Sequence, residues 1–366
     1  MGRMRTTWVM GAVVSVLAAS SALFAGCDVE TPADSSDIIG GVDAKSAKLD
    51  AIGTVGTKDY DGKYDFFCTA TLIAPKVALT AKHCATSGPG QTPRIANEEI
   101  FFAVGPNVDE PKQVIKARSV LTSPVNDGGM VKYGNDVAVY ILESPVVGVE
   151  PMPYATAHLS SDLVGKAFTA VGYGVQDRNR RVGTRKAGTL TLQAVDGQPV
   201  HKLFATKEEL TAFFTKQEGE SWVKNNQTRL DEFYDFKLLD GHEAYLGMGK
   251  NDAQPCSGDS GGPLVQKVDG KLQVVAVVSG SFKGATYPCS TVGEAYGTFG
   301  DEVQKMIASA TGPCEGEPVE GRCDGDTVVR CVGDNEGAQK ITRTDCAGIL
   351  QTCGLVTAKA ACVDGP

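Results

Sequence analysis

The chain has 366 residues, a formal net charge of −9 and 42% hydrophobic residues. This composition is typical of a soluble globular protein and excludes a polytopic membrane protein or a disordered chain. Because binding to phosphate backbones needs a basic face, the acidic balance argues against a nucleic-acid partner. Eleven cysteines indicate an oxidising compartment, and their odd number leaves at least one outside internal disulfides.

Residues 1–26 predict an export signal. Arg3 and Arg5 precede an uncharged apolar run from Trp8 to Ala19, which is too short and too early for a typical spanning helix. The run is followed by Ala-Gly-Cys at residues 25–27, and small residues before a cysteine resemble the bacterial lipobox. The resemblance implies a lipid on Cys27, with ordinary signal cleavage and secretion as the alternative. Either way, the protein is expected to leave a bacterial cytoplasm, as a membrane-anchored lipoprotein or in secreted form.

Residues 27–37 are polar and contain proline, and we interpret them as a linker or propeptide. From Ile38 to about residue 310, short β-type runs alternate with Gly and Pro. These runs include Thr69–Ile73, Lys76–Thr80, Val137–Leu142, Phe168–Val171 and Leu272–Val278. Many short strands with turn signals between them favour a barrel or sandwich over βαβ units. Apolar residues at helical spacing predict a closing helix over Asp301–Ala310.

A charged, aromatic-bearing segment at about residues 201–239 departs from the β pattern. Thr206 and Glu209 have the spacing of a capping box, and Leu210, Phe213 and Phe214 follow at helical spacing. We therefore predict one or two helices inserted into the β framework. We interpret them as a surface insertion with a small core of its own; a role in restricting substrate access is the alternative.

The loop from Gln176 to Lys186 is strongly basic. Its cations are Arg178, Arg180, Arg181, Arg185 and Lys186. A solvated surface loop is the expected structure. An anionic partner or a self-cleavage site is the alternative.

Residues 313–366 differ sharply in composition and predict a small disulfide-rich domain. Their cysteines are Cys314, Cys323, Cys331, Cys346, Cys353 and Cys362. So short a segment cannot bury a large core, and three disulfides would compensate, in any of fifteen pairings. The absence of His and of a Cys-x-x-Cys pair disfavours zinc binding.

The motif Gly-Asp-Ser-Gly-Gly at residues 258–262 carries the strongest chemical signal. A serine flanked by glycines can sit on a tight turn with its hydroxyl exposed, and the amides of Gly258 and Ser260 can converge as an oxyanion hole. Upstream, His83 can act as a base, and Asp136, just before an apolar strand, can orient the imidazole. His83, Asp136 and Ser260 are therefore the predicted catalytic residues.

The order His, Asp, Ser and the three local contexts resemble the chymotrypsin/trypsin family of serine endopeptidases. The resemblance covers residues 38–310 and implies an all-β fold of two antiparallel six-stranded β-barrels with the active site between them. It implies disulfides Cys68–Cys84 and Cys256–Cys289. Gly172-Tyr173-Gly174 is similar to a Gly-Trp-Gly turn of the family, and Val278–Ser281 to the strand that pairs with substrate backbone. The implied activity is hydrolysis of polypeptides through an acyl-enzyme.

Ile-Ile-Gly-Gly at residues 38–41 resembles the mature N-terminus of the family. The resemblance implies a zymogen in which a cut before Ile38 frees an amino group that pairs with Asp259. Asp37 stands where the family usually has Arg or Lys, so the activating protease is expected to cut after Asp37 and to differ from trypsin-like enzymes. If Cys27 is lipidated, the same cut would release the catalytic part from the membrane.

The specificity pocket is predicted to depart from that of trypsin-like relatives. Gln254 lies six residues before Ser260, where those relatives have Asp. Glu294 is expected to point into the same pocket, with Ser279 and Ser281 on the substrate strand, and Asp252 lies nearby. A neutral amide with an offset acid would accept aromatic, large apolar or basic side chains.

The sequence contains no phosphate-binding loop, haem motif or EF-hand spacing, so neither a metal nor a cofactor is expected. Two alternatives to an active endopeptidase stay open. One is a non-catalytic binding protein on the same scaffold, although all three catalytic residue types are present. The other gives the main function to the C-terminal cysteine-rich segment, as a binding or adhesion module.

Overall fold

The fold is known from a computed structural model that describes residues 41–87, 92–124, 135–175, 183–249, 251–284, 289, 292–333 and 338–364. The predicted signal, Cys27, the linker, Asp37 and Ile38 lie outside the described residues. Strands dominate the part that is described. None of the helices in these ranges has both the length and the hydropathy needed to cross a bilayer.

The elements are numbered in chain order. The strands are β1 (Val42–Asp43), β2 (Ile52–Lys58), β3 (Tyr64–Ala74), β4 (Val77–Thr80), β5 (Thr86–Ser87), β6 (Thr92–Pro93), β7 (Phe101–Val104), β8 (Gln113–Thr122), β9 (Ala138–Leu142), β10 (Ala167–Gly172), β11 (Lys186–Ala194), β12 (Glu243–Leu246), β13 (Pro263–Val268), β14 (Lys271–Gly280), β15 (Glu294–Thr298), β16 (Arg322–Asp324), β17 (Thr327–Gly333), β18 (Gln339–Asp345), β19 (Gln351–Val356) and β20 (Lys359–Asp364). The α-helices are α1 (Lys82–Ala85), α2 (Val200–Leu203), α3 (Lys207–Glu218), α4 (Glu220–Asp235) and α5 (Asp301–Thr311).

Six antiparallel strands close the first barrel in the order β2-β3-β4-β9-β8-β7. Strand β9 is buried along its whole length, as expected for an apolar, β-branched run. It pairs with β4 so that Leu79 faces Val139. Burial of Ile52, Leu72 and Ile141 beside them makes one continuous core. The strands predicted around residues 69–80 and 137–142 are confirmed.

The second barrel follows the order β11-β10-β13-β14-β15-β12 and is closed by pairing between β11 and β12. Strand β1 adds to its edge through β11. Its core contains Phe168, Leu190, Leu264 and Tyr296. The prediction of two six-stranded antiparallel barrels is therefore confirmed. The predicted closing helix is present as α5, which buries Val303, Met306 and Ile307.

The helical insertion between β11 and β12 is confirmed, and its helices run from Val200 to Asp235. Thr206 caps α3 by accepting a hydrogen bond from the backbone N–H of Glu209, and the Glu209 carboxylate accepts from the backbone N–H of Ala205. The core of the insertion is not confined to the insertion, however. Phe282 and Val292, from the segment between β14 and β15, are buried in the same cluster.

The prediction of a solvated basic loop was wrong for its last two residues. The side chain of Arg185 is fully buried, and its guanidinium donates to the backbone carbonyls of Ala44 and Leu49 at 2.8 and 2.6 Å. It also pairs with Asp50 at 3.1 Å. These acceptors replace the water that a buried cation loses. Lys186 is buried too and pairs with Asp43; residues 176–182 lie outside the described ranges.

The C-terminal segment folds into a three-stranded antiparallel sheet, β16-β17-β18, and a two-stranded antiparallel sheet, β19-β20. Its disulfides are Cys314–Cys331, Cys323–Cys353 and Cys346–Cys362. Ion pairs fasten it to the first barrel. Arg118 on β8 pairs with Glu315 and Glu317, and Lys76 pairs with Glu315. Within the segment itself, Arg322 pairs with Glu317. This segment therefore packs directly against the barrel that carries His83.

Candidate active site

His83 lies on the short helix α1, directly after β4. The Cys68–Cys84 disulfide ties this helix to β3, so the imidazole is held by a covalent link one residue away. Its side chain keeps 22% of its surface exposed. A constrained but accessible imidazole is what proton transfer to a bound molecule requires.

Asp136 lies just before β9, and its side chain is fully buried against His83. One carboxylate oxygen accepts from His83 Nδ1 at 2.8 Å, and the other accepts from the His83 backbone N–H at 2.9 Å. Ser279 Oγ donates to the first oxygen at 2.6 Å. Because an ionised carboxylate only accepts, Nδ1 carries the proton and Nε2 is the ring nitrogen whose lone pair can accept one.

Two opposing effects act on the pKa of Asp136. Burial on its own raises the pKa, but the charge of His83 and the hydrogen bonds from His83 and Ser279 outweigh that effect. The pKa therefore lies below its ordinary value, and the carboxylate stays ionised beside the imidazole.

Ser260 lies on a tight turn that docks against the first barrel. Gly258 and Gly261, which flank it at two and one residues, both have positive φ, +99° and +75°. The Ser260 carbonyl accepts from the Thr69 backbone N–H at 2.8 Å, and the Thr69 hydroxyl donates to the Gly258 carbonyl at 2.8 Å. A Cβ atom on Gly261 would lie 2.0 Å from Thr80 Oγ1, so only glycine allows this approach.

The docked turn brings together chain segments that are far apart in sequence. Thr69 is adjacent to Cys68, and Thr80 lies three residues before His83. The turn of Ser260 therefore contacts the two strands that hold the imidazole. Thr69 was not singled out from the sequence, although it stands in the predicted β3 run, because its partners come from the other barrel.

Asp259 has a buried carboxylate enclosed by backbone. Its two oxygens accept from the backbone N–H groups of Gly174 and Cys256, each at 2.8 Å. A Cβ atom on Gly172 would lie 2.1 Å from Asp259 Oδ1, which explains a glycine there. Burial raises the pKa of Asp259 to about 6 despite these two bonds. Within the described residues no cation lies at ion-pair distance from it; Ile38, its predicted partner, is outside them.

The predicted pocket residues have different roles in the structure. The Ser279 hydroxyl donates a hydrogen bond to Asp136, and Gln254 is half-buried. Ser281 Oγ and Glu294 Oε2 are buried, and neither has a hydrogen-bond partner among the residues that the structure describes. The pairing of Gly280 with Ala295 makes Ser281 and Glu294 neighbours across the ends of β14 and β15.

The acid at this position has an unusual environment. Burial raises the pKa of Glu294 to about 8; the charge of Lys283 opposes the shift and that of Asp259 adds to it. Asp252, the other nearby acid, is instead hydrogen-bonded within the protein. It accepts from the Gly249 and Thr191 backbone N–H groups at 2.7 and 3.1 Å and from the Thr191 hydroxyl at 2.9 Å.

Further features surround the site. The Cys256–Cys289 disulfide lies next to the Ser260 turn. An apolar cavity of about 230 Å³ lies beside Gly258, lined by Phe66, Phe67 and Val175 among others. His83 and the sulfurs of Cys68 and Cys84 lie within 4.8 Å of one another, but the two sulfurs are bonded to each other and offer no thiolate to a metal.

Lys82 is a further residue at this site that the sequence analysis missed. It is buried beside His83, and its Nζ donates to the Pro124 carbonyl at 2.8 Å. Burial lowers the pKa of Lys82, and the charge of Asp136 opposes that shift. Its position directly before His83 is the one feature of the sequence from which its place at this site could have been predicted.

Comparison with known proteins agrees with this architecture. Residues 38–217 match the family model described as Trypsin. These residues therefore belong to a domain of the chymotrypsin/trypsin-like serine protease family. A CLIP domain-containing serine protease B4 of Anopheles gambiae is 23% identical over 258 residues, which cover 66% of this chain and 62% of that protein. The chain described here thus spans less than two thirds of the length of that relative.

Among solved structures, one described as "Structure of GrC" is similar to this chain. It shares 18% sequence identity, with a TM-score of 0.46. The similarity covers 74% of this chain and 96% of that one.

Proposed function

We propose that this trypsin family member is a serine endopeptidase that hydrolyses peptide bonds in polypeptides, with His83, Asp136 and Ser260 as its catalytic triad. The observation that carries the proposal is the hydrogen-bonded set of Asp136, His83 Nδ1 and Ser279, beside a glycine-flanked Ser260 docked on the same barrel. A buried carboxylate, an accessible imidazole and a partly exposed turn serine are the parts that acyl transfer requires.

The mechanism follows from the tautomer of His83. Nε2 takes the proton of Ser260 Oγ as that oxygen attacks the scissile carbonyl, and Asp136 stabilises the resulting imidazolium. Nε2–H then protonates the leaving amine, and an acyl-enzyme remains on Ser260. Water, deprotonated by the same nitrogen, releases the acyl group. The amides of Gly258 and Ser260 stabilise the negative oxygen in both steps.

Substitution of the nucleophile tests the proposal. Ser260→Ala should lower peptide hydrolysis on the order of a million-fold and abolish labelling by a fluorophosphonate probe, because the attacking oxygen is gone. Ser309→Ala, on the exposed face of α5, is a matched control and should keep both activities. Labelling of Ser260→Ala at the parental rate would refute the assignment.

The proposal includes synthesis as a zymogen. A cut after Asp37 would create an amino group on Ile38 that pairs with Asp259. Support comes from the Asp259 carboxylate, which is buried, held by two backbone N–H groups and has a raised pKa of about 6. An ammonium ion beside it would remove the cost of this buried charge. Mutation of Asp37 to Arg should make the chain activatable by trypsin, measured by fluorophosphonate labelling.

Export completes the proposal. The N-terminal segment, with its apolar run and Cys27, supports passage out of a bacterial cytoplasm and attachment by a lipid, with secretion as the alternative. The activating cut would then also release the catalytic part. N-terminal sequencing of membrane-bound and released protein tests this; an active form that still carries Cys27 would refute the link between activation and release.

The pocket residues point to a class of substrate. Glu294 Oε2 and Ser281 Oγ are buried acceptors without partners, so a side chain ending in a hydrogen-bond donor would satisfy both. An Arg or Lys side chain would also pair with the ionised acid. Because the pKa of Glu294 in the empty pocket is about 8, this preference should strengthen as the pH rises towards and beyond 8, while aromatic or apolar side chains should show no such gain.

A further inference from the structure

The helical insertion is completed by two residues that do not belong to it. Its buried aromatic and aliphatic side chains form one cluster with Phe282 and Val292. Both residues lie in the segment that joins β14 to β15, on the two sides of Cys289. The insertion therefore shares its core with residues that directly follow Ser281 and closely precede Glu294, the two proposed pocket residues.

The ring of Phe282 is the centre of this shared core. It stacks on Phe233 at 4.6 Å between centroids and meets Phe214 edge-on at 5.1 Å. Trp222 lies 6.4 Å away, and the Arg229 guanidinium lies over the ring at 4.9 Å. Phe282 is only 7% exposed, so almost all of its surface is covered.

Further contacts secure the rest of this segment. The Glu218 carboxylate of α3 packs directly on Gly284, where an added Cβ would lie 1.9 Å from Glu218 Oε1. On the other side, the Val292 carbonyl accepts from the Tyr245 hydroxyl of β12. The insertion thus contacts the segment at Phe282, Gly284 and Val292.

These contacts lie next to the two pocket residues. Phe282 follows Ser281 directly, and Val292 lies two residues before Glu294. The pairing of β14 with β15 ends at Gly280 and Ala295, so no strand pairing fixes the backbone of Ser281, whereas Glu294 is still paired with Leu246 of β12. Interactions with the insertion take over where the strand pairing stops.

We propose that the helical insertion is a positioning element for substrate binding: through Phe282 it holds Ser281 opposite Glu294, where a substrate side chain must meet both residues. This inference rests on the proposed endopeptidase function. Phe282 acts through its neighbours and does not itself touch the reacting atoms. Its loss should weaken substrate binding while leaving the His83–Asp136 pair and the Ser260 turn intact, because those are held by separate bonds.

The test uses the full chain in its active, processed form, with active sites counted by a fluorophosphonate. Substrates are peptidyl-aminocoumarins with Arg, Lys, Phe or Leu before the scissile bond. Phe282→Ala should raise KM for the best substrate about ten-fold, with kcat per titrated site within about two-fold of the parent. Phe282→Tyr, which keeps the ring, should restore the parental KM. Equal KM values for the parent and Phe282→Ala would overturn the inference.

A control variant separates positioning from stability. Phe204 is buried in the same cluster, and its ring contacts Phe213 at 5.3 Å. Phe204→Ala should lower the melting temperature but leave KM per titrated site unchanged. If it raises KM as much as Phe282→Ala does, the effect is general loosening of the insertion, and the positioning role of Phe282 is refuted.

A surface variant tests the same idea if Phe282→Ala does not fold. Arg229 is exposed on α4, so Arg229→Gln removes the cation over the Phe282 ring without opening the core. KM should rise about two- to five-fold. Lys224→Gln, an exposed cation on the same helix, is the matched control and should have no effect. An unchanged KM in Arg229→Gln would count against the proposal; failure of the parent to react with the fluorophosphonate would instead remove the proposed function itself.

Discussion

Two buried acids flank the Ser260 turn, and their surroundings are opposite. Asp136 accepts hydrogen bonds on both oxygens, from the ring and backbone of His83 and from Ser279, and its pKa is lowered. Glu294 has an oxygen that forms no hydrogen bond with any of the described residues, and burial raises its pKa to about 8. Both side chains are almost completely buried, so burial alone does not explain the difference.

The contrast separates two tasks. A carboxylate whose bonds are all made within the protein is fixed in charge and position, which suits the orientation of a catalytic base. A buried acceptor left open is unfavourable until something binds to it. In the proposed function, the Asp136 side is therefore complete without substrate, whereas a bound substrate would complete the Glu294 side.

Asp136→Asn should have the largest effect. The amide cannot hold Nδ1 in its protonated form as a carboxylate does, so kcat per titrated site should fall about ten-thousand-fold. Asp196→Asn, an exposed surface change, is the control. A fall of less than about ten-fold would mean that His83 does not depend on Asp136 for its tautomer.

Glu294→Gln should change specificity rather than catalysis. Loss of the buried charge should lower the ratio of kcat/KM for Arg or Lys substrates to that for Phe or Leu substrates by about 100-fold. The ratio is measured at pH 9, where the parental acid is ionised. Glu243→Gln, another buried acid of the second barrel, should leave the ratio unchanged. A parental ratio in Glu294→Gln would exclude this acid from the pocket.

Ser279→Ala should reduce kcat by about ten-fold or less, because one of several bonds to Asp136 is lost. The same bond helps to lower the pKa of Asp136. A kcat per titrated site equal to that of the parent would show that the Ser279 hydroxyl does not support the action of the carboxylate.

The smallest expected effect is on stability. The folded-state pKa of Glu294, about 8, lies above its ordinary value of 4.5, so the folded protein holds this proton more tightly than the unfolded chain. The contribution is complete below pH 4.5 and is lost as the pH rises through 8. The melting temperature of the parent relative to Glu294→Gln should therefore fall by about 5 °C across that range. A difference that does not vary with pH would contradict the raised pKa.

Local patterns in the sequence were enough to predict much of the fold. Apolar runs bounded by turn residues located β3, β4, β9, β10 and β14, because burial on a pleated surface selects such runs. The capping residues at Thr206 and Glu209 predicted where α3 begins. The motifs around residues 83, 136 and 260 selected residues that the fold brings to the junction of the barrels.

Features that depend on distant partners were not predictable. The burial of Arg185 follows from carbonyls at Ala44 and Leu49, which converge on it only after β1 pairs with β11. Basic residues in a loop otherwise indicate solvent exposure. Similarly, nothing local distinguishes Phe282 from other aromatic residues, since its neighbours Phe214 and Phe233 lie some fifty to seventy positions earlier. The pairing of the C-terminal cysteines was open for the same reason.

The ion pairs between Arg118 and the residues Glu315 and Glu317 have a consequence for how the proposed endopeptidase would bind large protein substrates. They bind the chain just before the C-terminal hairpins to the barrel that carries His83, and Arg322 of β16 pairs with Glu317, so the hairpins are tethered beside that barrel. If a large substrate binds to the hairpins, only those of its peptide segments that reach the cleft from there would be cleaved. The distance between the bound surface and the cleft would then restrict which peptide bonds are cleaved, before any side chain enters the pocket.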